Sequence, residues 1–69
     1  MAGSSIVELE NHPLSDGGHA IVSRLGRSYS FYRTYNSFER PPDVTLELTK
    51  DKAYEMLEEA LRNDVLEVE

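Results

Sequence analysis

The sequence predicts an α+β fold, a small antiparallel or mixed sheet of three to five strands packed on one amphipathic helix. Three observations carry this reading. Two alternating segments meet at Gly26-Arg27, the spacing of a two-residue hairpin loop. Residues 44–48 alternate apolar and polar side chains, and residues 50–63 repeat apolar side chains at three- and four-residue intervals. The element order is β-β-β-β-α, with a short closing strand possible after the helix.

The elements follow in chain order. Residues 1–4 are small or flexible and are expected to fray. In residues 5–10, SIVELE, Val7 and Leu9 point one way and Glu8 and Glu10 the other, a half-buried strand with Ile6 out of phase. Residues 11–18 contain Pro13 and Asp16-Gly17-Gly18 and read as a loop. Residues 20–25 and 28–36 are the second and third strands. Glycine at the first central position of their two-residue connection selects a type II′ turn.

The turn sets the register: Leu25 pairs with Ser28, Arg24 with Tyr29, Ser23 with Ser30, Val22 with Phe31, Ile21 with Tyr32 and Ala20 with Arg33. One face then carries Ala20, Val22, Arg24, Tyr29, Phe31 and Arg33, and the other Ile21, Ser23, Leu25, Ser28, Ser30 and Tyr32. Both faces hold apolar residues. The helix covers one of them, and which one the sequence leaves open.

Pro41 and Pro42 stiffen the connection over residues 38–43 and cannot donate ladder hydrogen bonds. In residues 44–48, Val44, Leu46 and Leu48 face one side, with Thr45 and Glu47 on the other. Thr49 is placed to cap a helix from Lys50 to about Asn63, with Asp51 in its first turn near the positive end of the dipole. Ala53, Tyr54, Met56, Leu57, Ala60 and Leu61 form its apolar stripe. Asn63-Asp64 is expected to end the helix, and residues 65–69 alternate as a short strand would.

Length and composition bound the function. The chain has 69 residues, enough for one domain over residues 1–69. A chain of this size removes only about 60% of its extended-state surface on folding, so its core is small. There is no cysteine, which excludes disulfides, thiolate metal knuckles and thiol nucleophiles. No apolar run approaches the roughly 18 residues of a membrane span, and no basic-then-apolar leader opens the chain. A cytoplasmic setting is the expectation by elimination.

The net charge of -6 is unevenly spread. Residues 20–42 hold Arg24, Arg27, Arg33 and Arg40 against Glu39, whereas residues 43–69 hold nine acids against Lys50, Lys52 and Arg62. The basic stretch also contains Tyr29, Phe31, Tyr32, Tyr35 and Phe38, five of the six aromatic rings. Charge asymmetry of this kind bears on partners rather than on fold.

Candidate chemistry is sparse. His12, Asp16 and His19 are the only ligand-like cluster, and their spacing matches no named metal motif, so ordinary loop side chains are the simpler reading. No Gly-x-Ser-x-Gly elbow and no phosphate-binding glycine loop occurs. No catalytic residue and no cofactor is assigned, and an enzyme is not expected.

Tyrosine and arginine are enriched at the centres of protein interfaces, which makes Arg24, Arg27, Tyr29, Phe31, Tyr32, Arg33 and Tyr35 the interaction candidates. Asp51, Glu55, Glu58 and Glu59 form a second, acidic candidate surface on the helix. The leading reading is a small non-enzymatic accessory or regulatory protein that binds another protein, or a second copy of itself as a homodimer. Two alternatives stay open. Rings interleaved with arginines suit single-stranded nucleic acid, against which the net acidity argues. An acidic helix also suits an inhibitor that imitates a nucleic-acid backbone.

Overall fold

A computed structural model describes residues 5–68; the fraying expected of residues 1–4 lies outside them. Four strands, β1 (Val7–Pro13), β2 (His19–Leu25), β3 (Ser28–Arg33) and β4 (Asp43–Leu48), form one antiparallel sheet in the order β1-β2-β3-β4. Helix α1 (Lys50–Val68) follows and packs across β2 and β3.

The central hairpin is built as its turn dictates. Gly26 has φ +62° while Arg27 keeps a negative φ, the type II′ signature. The register matches the expectation at all six pairs, from Leu25 with Ser28 to Ala20 with Arg33. The face bearing Ala20, Val22 and Phe31 is the one that α1 covers. Ala20 and Val22 are fully buried and Phe31 is 5% exposed, packed with Ala53 and Leu57 of the helix. Tyr54, Met56, Ala60 and Leu61 pack around this centre, so the expected stripe is the buried one.

Leu14 completes the core from a segment expected to be loop. Strand β1 runs on through His12 and Pro13, which pair with Ala20 and His19. Proline is tolerated there because it ends an edge strand and its missing N–H costs no ladder bond. The chain then reverses within Leu14 to Gly18, closed by Leu14 N–H donating to Gly18 O (2.9 Å) and Gly17 N–H to Leu14 O (3.1 Å). A Cβ at Gly18 would fall on the Thr34 carbonyl, so only glycine fits.

Two bulges alter the expected alternation. Between Glu8 and Glu10 the β1 register slips, placing Glu10 opposite Val22 and Glu8 opposite Ser23. Leu9 packs against the core, and Glu10 shares the helix-side face with His12. In β4, Leu48 pairs with Tyr29 but Thr45 pairs with Phe31, so three steps on β4 match two on β3. Glu47 absorbs the extra residue in the left-handed region, φ 60°. Val44, Leu46 and Leu48 therefore do not share a side: Leu48 and Thr45 join the helix face, while Val44 sits opposite Tyr32 on the other.

The helix also outruns its expected end. Thr49 caps it, its hydroxyl accepting from Lys52 N–H (3.2 Å). Asn63 and Asp64 continue it, and residues 65–68 are helical rather than a closing strand. Neither Gly nor Pro occurs between residues 50 and 68, so no residue there strongly opposes helix. Asp64 is held in place by accepting from the Ser15 N–H (3.0 Å) and hydroxyl (2.7 Å).

Candidate interaction surface

Because α1 covers one face, the second face of the sheet is left open among the described residues. Its side chains run in rows across the strands. One row is Asn11, Ile21, Tyr32 and Val44, brought into line by the pairing. The adjacent row is Glu8, Ser23 and Ser30, continued by Leu46 in the β4 bulge. Leu25 and Ser28 close the hairpin end, and Pro13 and His19 the opposite end. Leu46 is 66% exposed, Val44 49% and Leu25 44%, while Ile21 and Tyr32 are partly buried by their neighbours.

The two rows differ in side-chain size on the central strands, where Ile21 and Tyr32 are large and Ser23 and Ser30 beside them small; on β4 both Val44 and Leu46 are large and exposed. Ser28, Ser30, Leu25 and Leu46, with Ile6, line a shallow depression of about 280 Å³ at the hairpin end, which Arg24, Tyr29 and Glu47 also border. Among the described residues in the two rows, Glu8 is the only acid and there is no lysine or arginine, in a chain with 29% charged residues.

The expected contact residues divide between the faces. Phe31 is a core side chain and Tyr29 packs against the core, so neither is a free contact. Arg24 lies on the same side and donates to Gly26 O (3.0 Å). Arg33 bonds Asp16 (3.3 Å) and the Thr34 carbonyl, and its side chain is largely buried. The ring-and-arginine face drawn for nucleic acid is thus the face beneath α1. Of Tyr29, Phe31, Tyr32 and Arg33, Tyr32 alone is on the open side. Arg27 is exposed at the hairpin tip.

Tyr35 belongs to a separate cluster beyond β3. The guanidinium carbons of Arg33 and Arg40 each lie 4.0 Å from its ring centroid, and its hydroxyl donates to Asp43 (2.6 Å). That bond holds the Tyr35 pKa above its ordinary value, with burial and the Asp43 charge adding to the shift. The cluster borders a groove of about 360 Å³ between sheet and helix, floored by Phe31, Met56 and Ala60. Arg40 and Asp43 were not among the expected site residues; they flank Pro41-Pro42, where spacing alone gives no signal.

The ligand-like trio His12, Asp16 and His19 is not brought together. His12 is on the helix side and bonds Glu10 (3.0 Å), whereas His19 is on the open side and bonds Asn11 (2.8 Å). Asp16 turns back to accept from Gly18 N–H (2.8 Å), which with Arg33 lowers its pKa. The bulge and the extension of β1 through Pro13 separate the two rings. Among the described residues no group of three or more histidines and acids could hold a metal ion. Asp51, Glu55, Glu58 and Glu59 are all exposed on α1, with Glu55 paired to Lys52 at 3.6 Å.

No family model, curated protein or solved structure matches the chain. The fold and the open face therefore carry the functional argument. The chain is a small α+β domain without thiols. Among its described residues neither histidine bonds a serine, and no helix is long and apolar enough to cross a membrane.

Proposed function

We propose that this chain is a non-enzymatic binding module that acts by burying the open face of its sheet against a protein partner. The observation that carries the reading is the composition of that face. It is apolar at Ile21, Tyr32, Val44, Leu46 and Leu25, hydroxyl-bearing at its serines, and depleted of charge relative to the rest of the chain. Loss of charge with an aromatic residue near the centre is the compositional mark of a protein interface. A face kept only for solubility would carry the Lys, Glu and Asp that α1 displays outward.

Nucleic acid is the poorer occupant, because phosphate needs cations and the rows of the open face present none. The acidic surface of α1 competes with the open face as a binding site, and one experiment separates them. Wild-type chain, a Leu46→Asp variant and a Glu55→Lys/Glu59→Lys variant serve as baits, and amide shifts are mapped with the purified captured protein. The expected result is loss of capture with Leu46→Asp alone and shifts at Ile21, Ser30, Tyr32 and Val44. Capture lost only with the helix variant, and shifts confined to residues 51–62, would overturn the reading.

A further inference from the structure

The relief of the open face says which protein covers it. On the central strands large and small side chains lie side by side, two residues apart: Ile21 and Tyr32 form a ridge, and Ser23 and Ser30 a trough. A two-fold axis in the plane above the sheet, running across the strands midway between these rows, sets each ridge over the trough of a second copy. Tyr32 then meets Ser30 of the other chain, Ile21 meets Ser23, and Val44 meets Leu46. Each contact occurs twice, as a two-fold interface requires. We infer that the occupant is a second copy of this chain, packed sheet on sheet. This inference rests on the reading of the open face as the binding surface and names its partner.

Charge permits the arrangement. The one acid in the rows, Glu8, falls against Asn11 of the other copy rather than against another carboxylate. Asn11 already donates to Glu8 within its own chain (3.1 Å), so the pair is chemically matched. Asp51, Glu55, Glu58 and Glu59 are on the outer side of each sheet. Two packed sheets are about 10 Å apart, so the two helices are separated by more than the Debye length of about 8 Å. The acidic helix of each copy is kept away from the contact.

The strand edges are the competing surface, and both are interrupted. β1 has its bulge at Leu9 and ends in Pro13, and β4 begins after Pro41-Pro42 and bends at Glu47. Bulges and prolines are the devices that keep sheet edges from pairing. Of the sheet's own surfaces, the face rather than the edges is the one suited to association.

The area sets the strength. Four strands spaced about 4.8 Å apart and about six residues long give a face of about 400 Å². Two copies bury about 800 Å², less than the roughly 1,200 Å² of standard stable interfaces. The dimer is accordingly weak and its population depends on concentration.

Sedimentation equilibrium from about 10 µM to about 1 mM tests this, using wild type and two charge variants. Ser30→Glu places a carboxylate under Tyr32 of the other copy, and Tyr32→Lys places an ammonium over Ser30. Each alone is expected to weaken dimerisation at least about tenfold, while their equimolar mixture recovers it. In the mixed dimer the introduced glutamate faces the introduced lysine at one contact, and the symmetry-related contact is unaltered. The pair Ser23→Glu and Ile21→Lys repeats the test one strand over, should either first variant fold poorly by its amide spectrum. A wild type that stays monomeric throughout would overturn the second-copy inference while leaving the open-face reading to the partner mapping above. A dimer unaffected by these variants, or a mixture no tighter than its components, would also overturn it.

Discussion

The carboxylate of Asp64, near the end of α1, accepts hydrogen bonds from both the backbone N–H and the hydroxyl of Ser15 in the turn between β1 and β2. These residues are 49 positions apart, and their contact ties the helix to the far end of the sheet. Asp64→Ala is expected to lower unfolding free energy by about 1–2 kcal/mol, and Ser15→Ala by about half that, because the backbone bond survives. A urea double-mutant cycle measures the coupling. Strictly additive losses would show that the two side chains do not act together.

Gly18 and Gly26 are both glycine for different reasons, and alanine separates them. At Gly18 the obstacle is steric, since a Cβ meets the Thr34 backbone carbonyl. At Gly26 there is open space and only the φ of +62° opposes a side chain. Gly18→Ala is expected to destabilise by about 2–3 kcal/mol and Gly26→Ala by about 1 kcal/mol. Thermal melts compare them, and a reversed order would contradict the packing of the β1–β2 turn against Thr34.

Much of this hairpin was legible in the sequence because Gly26-Arg27 leaves two residues between strands, a spacing that determines every pair behind it. The β4 alternation misled because its bulge uses Glu47, which carries no glycine signature for the left-handed region. Leu14 was hidden by its position after Pro13 in a stretch whose composition reads as turn. The helix end was misread because Asn63-Asp64 has low helix propensity, which the Ser15 contact outweighs. Which face the helix covers was not legible at all, since both faces carry apolar residues and only packing chooses between them. Hence of the expected strand contacts only Tyr32 is on the open face, and its neighbours there, Val44 and Leu46, are ones the alternation puts on the side of Leu48.

The bulge itself makes a prediction. A non-glycine residue in the left-handed region costs about 1–2 kcal/mol, and a β-branched one more. Glu47→Val is expected to destabilise by about 1–2 kcal/mol, whereas Glu47→Gly is expected to be neutral or stabilising by up to about 1 kcal/mol. Chemical denaturation measures both. A stabilising Glu47→Val would mean an unbroken strand, with Val44, Leu46 and Leu48 on one side after all.

Two titrations have opposite signs. The Tyr35 pKa is raised above its ordinary 10.0, first by the bond to Asp43. Its contribution is fully present below pH 10.0 and is lost as pH rises through the folded-state value. Absorbance at alkaline pH should show a tyrosine ionising above pH 10.0, and Asp43→Asn should move that step down. The Asp16 pKa is lowered from 3.8, first by the Gly18 N–H. Its contribution is present above pH 3.8 and is lost as pH falls through the folded-state value. Asp16→Asn should flatten the acid limb of the stability curve; an unchanged limb would contradict the turn geometry.

The central claim is that the sheet face opposite α1 is the working surface of the molecule. Methyl relaxation by a neutral, soluble paramagnetic chelate tests it most directly, measured on the full chain at about 20 µM and about 1 mM. At the lower concentration the methyls of Ile21, Leu25, Val44 and Leu46 should be strongly relaxed, and those of Val22 and Leu57 protected. At the higher concentration Ile21, Val44 and Leu46 should become protected as the faces pack. Open-face methyls already protected in the dilute chain, or protection that grows with concentration only along the acidic side of α1, would contradict the account.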